Sequence, residues 1–488
     1  MTMRQRLRSM LVLLIGAAAA APAHARDTAA PILRVEQGLR PLAIIDGQPQ
    51  PRWNILERMK HYRVPGVSIA VISGGELEWA RGYGVVSMSG KPVDTETLFQ
   101  AASISKPVTA LMALRLVDEG KLSLDEDVNL RLRSWKVPEN EFTRAQKVTL
   151  RRLLNHSAGL TVSGFDGYAA DGPVPSLLDI LDGRKPANSK PIRVEAVPGT
   201  NWSYSGGGYV VVQQLVTDVT RRSFSELVRE QVLAPLGMVH STFQQPLPAS
   251  LEANAAAGHD GDGALLKTRW HIYPEMAPAG LWTTPSDLAR VVLELQRGGQ
   301  LLKPATQLAM LTKLHYDYGL GIGLEDKSGR KSFSHSGGNA GFNCNLFGYL
   351  DGGAGVVVMT NGDNGWPLIE EIMRSISAEY RWADYRQRKV IHVAPDTLQG
   401  YSGRYVFPSK KEIAVTCGDG RLFASYMGGE KFELLPETPT DFFTTDQQWP
   451  QTFRFIRASD DTVEMSVGSK VAKRQAGAST EPLEPLSR

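Results

Sequence analysis

Ser103-Ile104-Ser105-Lys106 is the tetrapeptide whose residue types and spacing suit covalent chemistry. A serine hydroxyl is a poor nucleophile at its own pKa and needs a base within hydrogen-bond reach. Residues three apart share one face of a helix, so Lys106 approaches Ser103 from the next turn. A lysine at its free pKa of ~10.4 is protonated at neutral pH and useless as a base. Burial or neighbouring positive charge must lower that value, and the apolar stretch that follows is suited to bury it. Ser103 is expected to open this helix, where free amides and the helix dipole favour an anion such as an acyl-transfer oxyanion. The same spacing recurs at Ser328-Gly329-Arg330-Lys331, where the glycine and flanking charge read as a surface turn.

The elements that must hold Ser103 in place are a strand-like Thr97 to Ala101 before it and Val108 to Val117 after it. The second is apolar nearly all round and ends at Gly120, which predicts a buried helix with a glycine stop. Upstream, Trp53, Leu56 and Met59 share a helical face, and Val67 to Ile72 reads as a strand joined through Gly74-Gly75 to Leu77 to Ala80. Helices are expected at 148–155, 207–220, 224–233, 285–297 and 367–382, and strands at 318–324, 342–349 and 355–360. Strands at both ends of a region with helices between them predict one sheet with an inserted helical part. That gives a mixed α/β or α+β domain over 51–385, preceded by a lead-in, 26–50, with no core element. Beyond a linker at 386–396, short β-rich runs recur at close to ten-residue spacing. They predict a small β-barrel or sandwich over 397–473, followed by an unfolded tail, 474–488, rich in Ala, Ser, Pro and Glu.

No Gly-x-x-x-x-Gly-Lys loop, Gly-x-Gly-x-x-Gly, His-Glu-x-x-His, Cys-x-x-Cys or Gly-x-Ser-x-Gly elbow occurs. Nucleotide, zinc and α/β-hydrolase readings therefore lack a sequence basis, and no metal or cofactor is expected. Five segments follow one another in a telling order: Phe99 to Lys106, Thr149 to Leu160, Pro198 to Tyr209, Ala279 to Ala289 and His335-Ser336-Gly337-Gly338. In these the chain resembles the serine β-lactamase and penicillin-binding-protein superfamily, in its class C and D-aminopeptidase or esterase (peptidase S12-like) branch. The resemblance spans residues 50 to 380. It implies a β-lactamase-like, transpeptidase-like α+β fold, an antiparallel sheet with helices and a helical subdomain, followed by a lipocalin-like β-barrel.

The resemblance also implies roles. Ser103 is the acylated nucleophile and Lys106 its partner. Tyr204 matches the tyrosine of a Tyr-x-Asn motif and moves protons as a phenolate or through hydrogen bonding. A phenol of pKa ~10 needs cationic neighbours to ionise near neutrality. Gly206 stands where that motif has Asn and offers no side-chain amide to Lys106 or to a substrate carbonyl. His335-Ser336-Gly337 stands where relatives have Lys-Thr-Gly, and a histidine of pKa near ~6.5 is a part-time cation. Ser336 keeps the hydroxyl, Gly337 lets substrate approach, and the amide of Gly338 joins that of Ser103 as the oxyanion pair. His156 is expected to stabilise a turn, and Asp287 to be a helix N-terminal carboxylate.

These departures favour a D-amino-acid peptidase or esterase over a β-lactamase or D-Ala-D-Ala carboxypeptidase. A non-catalytic binder of peptidoglycan-type ligands would need no Ser103, Lys106 and Tyr204 together. The chain has 488 residues, 42% hydrophobic and 22% charged, as folded soluble proteins do. Its net charge of +3 traces to Arg4, Arg6 and Arg8, without which the basic residues fall to the 51 of the acidic ones. Such balance gives no electrostatic case for nucleic acid or anionic membrane, leaving a small-molecule or peptide substrate as the partner. The three arginines precede an apolar run from Met10 to Ala21 and a small-x-small site at Ala23-His24-Ala25. This reads as an export signal, 1–25, because a bilayer span needs ~20 apolar residues, and places the protein in the periplasm or outside the cell. Cys344 and Cys417 fall in different expected domains and should be unpaired.

Overall fold

The computed structural model describes residues 28–87, 90–327, 329–446, 452–457, 463–468 and 470–475. The expected export signal and the tail beyond Gln475 lie outside the described residues. Alternation along Gly66–Ser73 (β1) organises the N-terminal domain. Val67, Ile69 and Val71 enter one core while Ala70 and Ile72 enter another, because successive strand side chains point to opposite faces. Gly74 and Gly75, both at positive φ, turn the chain into Glu76–Gly84 (β2). Left-handed φ at both turn positions matches the twist of the flanking strands. Gly323–Lys327 (β3), Arg330–Asn339 (β4), Phe342–Tyr349 (β5) and Gly355–Thr360 (β6) complete an antiparallel sheet in the order β2-β1-β6-β5-β4-β3.

The Ala29–Glu36, Ile55–Tyr62 and Gly365–Tyr380 helices cover one face of the sheet. The Pro285–Arg297 helix covers the other through Leu288, Val291, Val292 and Leu295, in a core shared with the Ser105–Asp118 and Gly206–Thr220 helices. The stretch 26–50, expected to hold no core element, differs: Val35 and Leu39 are fully buried in the first core. Ala43–Ile45 also pairs in parallel with Arg388–Val390, so part of the expected linker is strand. Between the flanking helices, Arg58 donates to both carboxylate oxygens of Glu371 at 2.7 and 2.6 Å, and Tyr62 donates to the same group at 2.7 Å.

The C-terminal domain is a closed antiparallel barrel, with eight strands among the described residues. Each strand pairs with the next, and Gly403–Val406 meets Lys470–Arg474 to close it. Inward residues such as Tyr405, Val415, Leu422, Phe442, Phe453, Phe455 and Met465 are buried and pack as one core. A barrel of this strand number is just wide enough to be filled by its own side chains. Arg388 joins the domains: it pairs with Glu437, donates to Thr452 Oγ1 at 3.1 Å and stacks over Phe443.

Removing one partner of a buried ion pair leaves the other charge uncompensated, at a cost of about 3–5 kcal/mol. Glu371→Ala is therefore expected to lower the unfolding free energy of the N-terminal domain by that order, read as a lower chemical-denaturation midpoint. An unchanged midpoint would mean that the Arg58 pair contributes nothing net.

Candidate active site

The chain leaves Phe99–Gln100, paired with Trp282–Thr283, and makes a single 3-10 turn, Ala102–Ile104, before the Ser105–Asp118 helix. Ser103 thus sits just ahead of the α-helix rather than opening it. Ala102 has a φ of 47°, a left-handed conformation that costs a residue with a Cβ and persists only where the surroundings impose it. They do so here from both sides. Ala101 N donates to Leu281 O at 2.8 Å, and Leu281 N donates back to Ser105 Oγ at 3.0 Å. Ala102 and Ile104 are fully buried while Ser103 stays half-buried at the turn.

Lys106, in the first turn of that helix, is 1% exposed. Its Nζ donates to Ser103 Oγ at 2.9 Å and to Pro278 O at 3.1 Å, and lies 4.8 Å from the centroid of the Tyr204 ring. Pro278 is fixed in turn. Gln213 donates to Pro274 O and accepts from Ala277 N, and Thr109 donates to Ala277 O. Burial lowers the Lys106 amine to about 7. The Tyr204 hydroxyl is hydrogen-bonded to the Ser103 side chain, and burial pushes it up to about 12, so it is a phenol and not a phenolate at neutral pH.

His335 differs from the part-time cation expected of it. It is buried on β4, and desolvation, reinforced by the Lys106 charge, drives its pKa down to about 3. Its Nδ1 lies 2.7 Å from Ser336 O and must be the donor there. Nε2 is then an acceptor, facing the Tyr318 hydroxyl at 3.0 Å. Neither nitrogen is left to bind substrate.

Burial alternates along β4, and its open face presents Ser334, Ser336 and Gly338. A Cβ on Gly337 would lie 2.3 Å from Ala101 O and 2.7 Å from Cys344 Sγ, so only glycine lets β4 pack against the Ser103 turn. Ser103, Ser336, Gly337 and Gly338 line one cavity of about 890 Å³ with His335, Trp202, Tyr204, Tyr316, Tyr318 and Lys470. At Gly206, a Cβ would lie 3.0 Å from the Phe165 ring and 3.1 Å from Ser163 O. Phe165 thus crowds the space that an asparagine side chain would need.

The expected site residues therefore converge, and His156 joins them more closely than expected. Its Nδ1 accepts from Ser205 N at 3.1 Å, bracing the turn, while its ring packs 4.4 Å from that of Tyr204. Asp287 stands apart, accepting from His240 N and Ser241 Oγ, each at 2.8 Å, in the first turn of its helix. Both cysteines are free. Sequence reasoning missed Pro278, Tyr318 and Lys470. A backbone carbonyl has no residue signature, and Tyr318 stood within an expected strand but was not singled out.

A half-buried serine bonded to a buried lysine and a tyrosine, beside an antiparallel sheet flanked by helices, defines a serine hydrolase. The Beta-lactamase family model matches residues 53–377, and the chain belongs to that family. Penicillin-binding protein 4* of Bacillus subtilis (strain 168) is 24% identical over 438 residues, which span 83% of this chain and 91% of that protein. The octameric penicillin-binding protein homologue from Pyrococcus abyssi superimposes with a TM-score of 0.59 at 24% identity, over 86% of this chain and 98% of that one. D-amino acid amidase from Ochrobactrum anthropi SV3, complexed with L-phenylalanine amide, gives 0.55 at 20% identity, over 67% and 98%.

Gly337→Ala must push β4 away from the Ser103 turn, and overpacking of this kind costs about 1–3 kcal/mol. The variant is expected to melt at lower temperature and to react more slowly at Ser103 with an active-site phosphonate. Wild-type values for both would mean that the contact is slack.

Proposed function

We propose that this protein is an exported serine hydrolase that cleaves amide or ester bonds through a seryl acyl-enzyme, with D-amino-acid peptides, amides or small esters as substrates. The observation that carries the reading is the 2.9 Å bond between Ser103 Oγ and a buried lysine whose pKa is lowered to about 7. At neutral pH a large fraction of Lys106 is the free amine, able to take the Ser103 proton as Oγ attacks the substrate carbonyl. Pro278 O accepts from the ammonium that forms. The backbone amides of Ser103 and Gly338 stabilise the oxyanion. Tyr204, a neutral phenol, hands its proton to the leaving group as it regains one from Ser103 or Lys106. Water then enters along the same path in reverse, and the acyl group departs.

Substrate choice follows from what the cavity offers. Phe165 crowds the position from which an asparagine amide would hold a substrate carbonyl, and His335 presents no charge. The crowding at Gly206 favours small esters and D-amino-acid peptides and amides over β-lactams, with Trp202, Tyr316 and Tyr318 as an aromatic wall for an apolar group. Export rests on the composition of residues 1–25. A non-catalytic binder is disfavoured, since ligand holding alone gives no reason to bury Lys106 against Ser103.

A serine-directed phosphonate is expected to add once to the wild type by intact-protein mass, and not at all to Ser103→Ala. An unlabelled wild type would sink the enzyme reading. With nitrophenyl esters, D-alanyl amides and a chromogenic cephalosporin compared side by side, turnover of the cephalosporin alone would reverse the substrate order.

The base form of Lys106 exists above its pKa, so kcat/KM is expected to rise with pH through about 7 and then level off. A rise placed near ~10, where an unburied lysine titrates, would contradict the assignment. Lys106→Arg keeps a charge that never leaves, and should cost about 10²- to 10⁴-fold in kcat/KM, the usual worth of general acid–base catalysis.

A further inference from the structure

The second domain contributes one residue, among those described, to the lining of the catalytic cavity. Lys470, the first residue of the barrel's closing strand, lines it together with Ser103 and Ser336. Among the described residues lining the cavity it is the one permanent cation. Lys106 stands behind Ser103 rather than on the wall, and both nitrogens of His335 are engaged within the protein. The neighbouring bases of that strand are occupied: Lys473 faces Glu464 at 3.8 Å and Arg474 donates to Gly400 O at 2.9 Å. Lys470 has no ion pair among the described residues and is exposed. The cavity's carboxylate, Asp317, is held by Lys313 at 2.8 Å and leaves the ammonium of Lys470 unmatched.

We propose that Lys470 is the specificity residue that binds a substrate carboxylate on the leaving-group side of the scissile bond, with the Ser336 hydroxyl as a second donor. Lys470 lines the same cavity as Ser103 and as Ser334, Ser336 and Gly338 on the open face of β4, which suits that role. The catalytic domain itself carries no charge at the position of His335, so carboxylate selection passes to the barrel. The substrates this selects are peptides or esters whose departing half ends in a free carboxylate. The inference rests on the acyl-enzyme reading above, in which Ser103 is the group attacked.

The test compares 4-acetoxybenzoate with 4-acetoxybenzamide, whose departing halves match in size and differ in charge. In the wild type the ratio of kcat/KM, carboxylate over carboxamide, should exceed that of Lys470→Ala by about two- to fivefold, the range set by a solvent-accessible ion pair. The change should appear in KM, shrink as ionic strength rises, and be restored by Lys470→Arg. Lys470→Glu should drive the ratio lower than Lys470→Ala does. A ratio within twofold of the wild type in both the Ala and Glu variants overturns the inference, as does an equal loss on both esters. Labelling of Ser103 by a neutral phosphonate, run on the same samples, separates this failure from failure of the acyl-enzyme reading, since only the latter abolishes the adduct.

Discussion

An amine removed from water and left with a serine hydroxyl and one carbonyl for company is the constraint on which this structure depends. A lysine ammonium in such a place would be costly without a counter-charge, and no carboxylate among the described residues is bonded to Lys106, so burial lowers the amine to about 7 and the proton leaves readily. Everything nearby serves that outcome. The Ser105–Asp118 helix is buried over most of its surface, Gln213 and Thr109 hold the Pro278 segment at the right height, and Tyr204 and Tyr209 close the sides with ring faces. Opening any of these walls to water would let the amine regain its charge before it weakened the fold.

The same economy explains the histidine on β4. Water exclusion that neutralises Lys106 also neutralises His335, and the two would repel if both were charged. The strand therefore contributes shape and hydroxyl groups to the cleft, not charge. His156 obeys the same rule from the other side, with its pKa lowered well below the ordinary value by burial. The centre of the site is an aromatic and imidazole cluster in which the neutral form is favoured throughout, and charge is confined to the rim.

Much of this was legible in the chain itself. Ser103 and Lys106 announced their contact through helical spacing, and the two central strands, Phe342–Tyr349 and Gly355–Thr360, fell where apolar runs placed them. Arg330–Asn339 was harder. Its serines, glycines and histidine have no strand composition, and it is a strand because β5 and β3 flank it on both edges. The direction of the His335 shift was hidden for a related reason, since depth of burial depends on Tyr318 and Lys106, which only the fold brings near. The Ala29–Glu36 helix looked peripheral because the stretch 26–50 is mixed in composition and carries several prolines, yet Val35 is buried against the Gly365–Tyr380 helix. The barrel's last strand is basic and short, and it pairs with both the strand before it and the first strand of the barrel.

That last strand has a further consequence. The barrel is shut by its own ends and filled by a core of its own, so its rim is held by a stiff frame separate from the sheet that carries the acylating site. A strand mounted on such a frame is a replaceable part. Substitutions or length changes at its tip can retune which molecules enter the cleft while the serine, the lysine and the tyrosine stay as they are. The two domains thus divide the labour of an evolving enzyme: one conserves a reaction, and the other is free to explore what undergoes it.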